Sequence, residues 1–361
     1  MAIQTLDSSN TKYDLLSLGE CMIRLSPGGH GRLEYAQNLE VWAGGGEYNV
    51  AYAVTRLGLR GGFVSKLPDN PVARILINHA RAVGLDTSNI IMEKYDGIGR
   101  AGRVGLNFTE VGTGVRASVT MYDRGQSAIS LADSSEFDYK DIFENQKTRW
   151  LHTGGIMSAL SPQCAKIVNE AAAAAHANAT VVSYDLNFRS KLWSSEDAIA
   201  ANTKIAPHVD VLIGNEEDFQ KALGFEVEGV DEDLKELPIE SFKRMVEQVV
   251  ETYPNIKVVC TTLREVKSGL INNWSGILWH EGSFYESNRF EDLEIEDRVG
   301  GGDGFSSGVA YGFLNNMEPQ EIANFSAAHG ALLQSTGGDT SQITLEEVEH
   351  VAKGGSARIK R

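Results

Sequence analysis

Asp297-Arg298-Val299-Gly300-Gly301-Gly302-Asp303-Gly304-Phe305 gathers the residue types of this chain best suited to chemistry. Three consecutive glycines let the backbone turn tightly and aim several N–H groups at one point, with no Cβ atoms in the way. Small and apolar residues follow, and a helix beginning at Gly302 or Asp303 would add its unpaired N–H groups and its dipole to that point. Asp303 then stands where negative charge can develop, within reach of a hydroxyl proton. The plainer alternative is a flexible loop whose aspartate only caps a helix.

Four further segments pair polar groups with the ends of apolar runs. Gly44-Gly45-Gly46-Glu47-Tyr48-Asn49 is a second glycine turn at a helix start, where Asn49 can donate and accept toward a polyhydroxy ligand. Tyr122-Asp123-Arg124 offers a guanidinium fork for a carboxylate or phosphate and a phenol for a hydroxyl, unless the arginine is simply solvated. Asp185, Asn187 and Arg189, spaced two apart, share one face of an extended chain. Asn215-Glu216-Glu217-Asp218 brings carboxylates suited to a hydrated Mg²⁺, or else acids that the dipole favours in a first helical turn.

The surrounding pattern must put these segments on one edge. Apolar runs at 14–20, 62–66, 150–153, 181–185, 209–213 and 257–261 alternate with helical periodicities at 49–57, 71–83, 162–177, 195–206 and from Glu216. That alternation predicts a mostly parallel sheet covered on both faces, with its ligand outside the carboxyl ends of the strands. Two stretches break the rhythm. Residues 23–43, including Arg32-Leu33-Glu34-Tyr35 and Leu39-Glu40-Val41-Trp42, read as short antiparallel strands, and 99–130 as a hairpin around Gly112-Thr113-Gly114. Together they could form one small sheet outside the main body. A β-rich stretch at 268–284 and two helical segments after the glycine run complete the reading. The acidic stretch 226–240 reads as a surface insertion and the tail 354–361 as frayed.

Bulk properties narrow the function. With 33 Lys+Arg against 49 Asp+Glu, the net charge of −16 argues against nucleic acid or an anionic membrane as the main partner. Cys21, Cys164 and Cys260 are widely spaced and read as buried thiols of a reducing compartment, with no zinc spacing. The first residues lack an apolar signal core, and no run approaches the roughly 20 apolar residues of a membrane span, so the expected location is the cytoplasm. No dinucleotide-binding fingerprint and no Walker A lysine can be drawn.

In this order the five segments resemble the PfkB, or ribokinase-like, family of carbohydrate kinases, from Leu15 to about Asp339. The resemblance implies a three-layer α/β/α fold with a small β-sheet lid: a core of 12–22, 44–98 and 131–345, and a lid of 23–43 and 99–130 that covers the sugar and contacts a second subunit in a homodimer or higher oligomer. It implies ATP and Mg²⁺ as cofactors, Asp303 as catalytic base, and Gly300, Gly301 and Gly302 as the phosphoryl cradle. Gly45, Gly46, Asn49, Tyr122, Arg124 and Arg189 would meet substrate. Asn187, Asn215, Thr262, Arg264, Ala331 and Gly338 would lie toward the nucleotide, and Asp218 would reach the metal through water. Asp218 departs from the family's Asn-x-x-Glu pattern, and Ala101-Gly102-Arg103-Val104 lacks a usual tyrosine. Within the family, Tyr122-x-Arg124, Asp185-x-Asn187-x-Arg189 with Leu192-Trp193, and the Asp-Arg-Val-Gly-Gly-Gly-Asp turn look most like kinases of 2-keto-3-deoxygluconate. Fructose or 5-keto-2-deoxygluconate kinases, and a binder without chemistry, are the alternatives.

Overall fold

A strand buried on both faces needs a continuous apolar run, and Leu15-Leu16-Ser17-Leu18, wholly buried, is the middle of such a sheet. The computed structural model describes residues 3–225 and 239–355. The acidic stretch lies outside these apart from Ile239 and Glu240, which open a helix, and so does the tail beyond Gly355.

In chain order the strands are β1 (Leu15–Leu18), β2 (Met22–Ser26), β3 (Glu40–Gly44), β4 (Gly61–Pro68), β5 (Ile90–Glu93), β6 (Gly105–Glu110), β7 (Val119–Asp123), β8 (Trp150–Gly154), β9 (Val181–Asp185), β10 (Val211–Ile213), β11 (Val258–Val266), β12 (Ile271–His280), β13 (Ser283–Glu286) and β14 (Phe290–Glu294). The helices are α1 (Gly46–Arg56), α2 (Pro71–Ala82), α3 (Gly155–Ala159), α4 (Pro162–Ala177), α5 (Ser195–Ile205), α6 (Glu216–Leu223), α7 (Ile239–Thr252), α8 (Gly301–Leu314), α9 (Pro319–Leu333) and α10 (Leu345–Ala352).

The large sheet runs β13-β12-β11-β10-β9-β8-β1-β4-β5, with β14 beside β12. From β11 to β5 all neighbours are parallel, and β12, β13 and β14 add an antiparallel end. Two buried clusters flank it. One packs α4, α5, α6 and α7 on one face, through residues such as Ile167, Ala198, Phe219 and Phe242. The other packs α1, α2, α8 and α9 on the opposite face, through Val50, Leu76, Phe305 and Ala331. Gly154, Asp185, Ile213 and Cys260 fall in one register row, so the polar segments that follow β8, β9, β10 and β11 leave the sheet along one edge.

Helix starts follow their local chemistry. Ser161 accepts from Cys164 N ahead of Pro162 at the head of α4, and Asn70 accepts from Ala73 N ahead of Pro71 in α2. The backbones of α8 and α9 approach closely because Gly304 meets Gly330 and Gly308 meets Ser326.

A separate four-stranded sheet has the order β3-β2-β6-β7. One of its cross-strand rows is Trp42, Arg24, Asn107 and Tyr122, and the neighbouring row on the other face is Val41, Leu25, Phe108 and Met121. Arg32 to Tyr35, expected as a strand, is instead bent into a single 3₁₀ turn at Leu33–Tyr35. The Glu110 carboxylate takes Leu33 N at 2.9 Å and Arg32 Nη1 at 3.0 Å, a tertiary pull that outweighs the local β pattern. The helix that begins in the glycine run is followed by two more, and β14 was not anticipated.

Candidate active site

Gly300 is the N-cap of α8 in the left-handed region, with φ 86°, and a Cβ there would overlap the Asp339 carbonyl. Only glycine fits that position without strain. The helix therefore starts at Gly301, one residue earlier than the sequence pattern places it, and Asp303 sits in its first turn. Gly302 is exposed, with nothing within 4 Å of where its Cβ would be. Open space in front of free helix N–H groups fits the terminal phosphoryl of a nucleoside triphosphate.

Asn49, buried in the first turn of α1, donates from Nδ2 to Asp303 Oδ2 at 2.7 Å. Its Oδ1 has no partner among the described residues. Gly45, with φ 149°, lets α1 begin against the Glu20 carbonyl, and Gly46 faces Asp303 Oδ1, 3.9 Å from where its Cβ would be. Burial lifts the Asp303 carboxyl to about 7; the Glu47 and Asp339 charges add to the rise, while the Asn49 hydrogen bond opposes it. Burial also lifts Glu47 to about 7. A carboxyl poised there can hold a proton and release it near neutral pH.

Asp185 ends β9, and burial, with the charges of Asp218 and Asp303, holds its carboxyl well above the usual range. Asn187 follows with φ 33°, a conformation asparagine tolerates better than most side chains. Asp218 closes a capping box: Oδ2 accepts from Asn215 N at 2.9 Å, and Asn215 Oδ1 accepts from Asp218 N at 3.0 Å. Its Oδ1 accepts from Phe188 N at 2.8 Å. The shorter aspartate thus spends both oxygens on backbone, fixing the 185–189 turn to α6. A divalent cation finds no ready cage, since no three acidic or histidine groups converge as ligands among the described residues. Asp185 and Asp218 fit an ion that keeps its own waters.

The two arginines expected to share a substrate anion have different surroundings. Arg124 is buried and ion-paired to Glu20, with Nε 2.8 Å from Glu20 Oε2, and stacks 5.2 Å over the Tyr122 ring. Glu20 is 1% exposed, and its Oε1 is unpartnered among the described residues. Arg189 is exposed and forms no ion pair among the described residues, although its charge reaches Asp185, Asp218 and Asp303. Tyr122 is 43% exposed on β7. Arg264, on the part of β11 that projects beyond the β10 register, is within electrostatic reach of Arg189 and Arg298. Thr262 lies beside it, half-buried. Ala331 is instead part of the apolar core, and Gly338, with φ 91°, packs under the Trp42 ring.

Residues 12–345 match the model of the pfkB family of carbohydrate kinases. The chain belongs to that family. This kinase is 33% identical to a 2-dehydro-3-deoxygalactonokinase of Haloferax volcanii, over 96% of the chain and 99% of the relative. It is 26% identical to a 5-dehydro-2-deoxygluconokinase of Clostridium perfringens, over 95% and 93%. The crystal structure of a 2-dehydro-3-deoxygluconokinase from Thermotoga maritima superposes with a TM-score of 0.87 at 37% identity, covering 94% of this kinase and 99% of that chain. Among the described residues, no helix of this kinase is long and apolar enough to cross a membrane.

Sequence reasoning overlooked three polar residues buried behind the site: Arg24, Glu47 and Asp339. The one local signal was Arg24 itself, a charge inside the apolar run Met22-Ile23-Arg24-Leu25.

Proposed function

We propose that this kinase transfers the γ-phosphoryl group of ATP to the primary hydroxyl of a six-carbon 2-keto-3-deoxy sugar acid, with 2-keto-3-deoxygluconate giving its 6-phosphate as the leading case. The observation that carries the reading is Asp303, held by Asn49 behind an open glycine turn, on the same sheet edge as Arg189, which forms no ion pair among the described residues. Asp303 takes the hydroxyl proton as that oxygen attacks the γ-phosphorus in line. The N–H groups of Gly300 to Asp303 face the charge that develops on the phosphoryl oxygens. Mg²⁺, held through water by Asp185 and Asp218, would neutralise charge between the phosphates.

Arg189 suits the substrate carboxylate, because it has no acid of its own among the described residues; Arg124, already paired with Glu20, lines the same side with Tyr122. Gly45, Gly46 and Asn49 bound the hydroxyl side. Asn187, Asn215, Thr262 and Arg264 lie toward the nucleotide, with Ala331 and Gly338 behind them. In this reading residues 12–22, 44–98 and 131–345 are the core, and 23–43 and 99–130 a lid over the sugar. The lid's outer row leaves Val41 50% and Met121 56% exposed, and a second copy of the chain is the proposed cover. Light scattering that finds only monomer at micromolar concentration would reject that cover. The proposed location is the cytoplasm, where ATP is available.

Two relatives keep other acceptors in play: the galactonate relative points to the C4 epimer, and the 5-dehydro-2-deoxygluconate relative to a displaced keto group. ADP release measured with 2-keto-3-deoxygluconate, its C4 epimer, 5-keto-2-deoxygluconate and fructose decides among them. The expected order puts the two 2-keto acids first. Strong turnover of fructose with none of the 2-keto acids sinks the substrate assignment.

A further inference from the structure

Arg24 is 1% exposed in the middle of β2 and takes no part in the chemistry described so far. Its Nε donates to Ser26 Oγ at 2.9 Å, Nη1 to Asp339 Oδ1 at 2.7 Å and Nη2 to Asp297 Oδ2 at 2.5 Å. Both carboxylates belong to segments that shape the phosphoryl cradle. Asp297 opens the glycine loop, accepts from Val299 N at 3.2 Å through its other oxygen, and donates its own N–H to the Gln334 carbonyl. The Asp339 carbonyl packs against Gly300, and its carboxylate fills the space a Cβ would need at Gly44. Gly44 ends β3 and leads directly into α1, which carries Asn49.

One guanidinium therefore fixes three segments to one another: the small sheet, the 297–303 loop, and the chain after α9. Stability alone is a poor reason for this arrangement. A buried guanidinium with two carboxylates bears a desolvation cost that apolar side chains of similar volume would avoid. A rigid fork binding two carboxylates at set angles does, however, specify position, which a flexible ammonium cannot do as well.

We infer that Arg24 is a positioning residue, acting through Asp297 and Asp339 to set the phosphoryl cradle relative to the small sheet that flanks the sugar side. Seating the small sheet and shaping the glycine loop thereby become one event. This rests on the proposed substrate for its turnover and sugar-acid binding measurements but not for the affinity of the nucleotide analogue.

The test compares Arg24→Lys, Arg24→Met and Asp297→Asn in the full-length protein. Thermal melts and circular dichroism select the variants that are folded. In these, kcat is expected to fall by about 10²-fold, the cost of misplacing reacting groups by roughly an ångström. The dissociation constant of a non-hydrolysable ATP analogue should rise, while calorimetric binding of 2-keto-3-deoxygluconate without nucleotide stays at the wild-type value. Arg24→Lys should recover part of kcat relative to Arg24→Met. Adding Asp297→Asn to Arg24→Met should cost little more, because both act on one contact. If Arg24→Met does not fold, Arg24→Lys and Asp297→Asn decide the matter. Wild-type kcat and analogue affinity in those folded variants overturn the inference, as does a loss of sugar-acid binding equal to the loss of kcat. A wild-type protein that turns over no sugar acid would instead reject the kinase substrate, leaving the analogue affinities to judge Arg24.

Discussion

Asn49 on the first turn of α1 holds Asp303 on the first turn of α8 through a 2.7 Å hydrogen bond, so two helix starts share one proton acceptor. Asn49 was expected to touch substrate. Its Nδ2 aims the base, with Oδ1 left unpartnered among the described residues, and the bond lowers the affinity of that base for a proton. Replacing Asn49 with Ala removes the side-chain hydrogen bond that opposes the rise, so the acidic limb of the pH–rate profile should move to higher pH. An unmoved limb would mean that the hydrogen bond does not form in the working enzyme.

Replacing Asp303 with Asn should lower kcat by roughly 10²–10⁴-fold, the usual worth of a general base, while sugar-acid binding measured by calorimetry persists. Turnover at the wild-type rate in this variant rejects Asp303 as the base.

For the wild type, kcat/KM should climb with pH and level off above about 7, because Asp303 must give up its proton to act and its carboxyl lies near that value. Stability runs the other way. A carboxyl raised to about 7 in the fold from roughly 4 in the unfolded chain is favoured protonated, so the folded state loses stability as pH rises between those values. Asp303→Asn should therefore melt higher than wild type at pH 8, with the difference gone near pH 4. Equal melting temperatures at pH 8 would contradict the burial of this charge.

Arg124 and Arg189 should separate by their readouts. Arg124→Met leaves Glu20 buried without its partner, at a cost of about 3–5 kcal/mol, seen as a lower melting temperature. Arg189→Met should leave the melting temperature alone and raise KM for the sugar acid by roughly 10- to 100-fold, as expected for a charge-assisted bond worth ~1.5–3 kcal/mol. A destabilised Arg189→Met with unchanged KM would reverse these roles.

The β-α alternation was legible because parallel strands buried on both faces must be apolar throughout, and α4 was bounded by Ser161 and Pro162 at one end. The glycine turn and its aspartate were legible because their chemistry is local. What escaped was long-range. Nothing near Arg124 in sequence announces Glu20, 104 residues away, and nothing near Leu33 announces the Glu110 carboxylate that curls its strand into a turn. The β14 segment, Phe-Glu-Asp-Leu-Glu, is too charged to read as a strand and pairs only because β12 offers it a ladder. Ala331 and Gly338 were placed by analogy of position, and the core and Trp42 occupy the space beside them.

Asn49 and Asp303 are 254 residues apart in the chain, and Arg24 and Asp339 are 315 apart. A ribosome must therefore have passed Asp303 and Asp339 before these early segments can meet the groups they hold. Until then Arg24 lacks a carboxylate partner, and a chain cut short between Asp297 and Asp339 carries a buried guanidinium met by only one of its two carboxylates. Catalytic activity in this kinase is thus a certificate that synthesis has passed Asp339, and fragments terminated before it should be both inert and ready substrates for quality-control proteases.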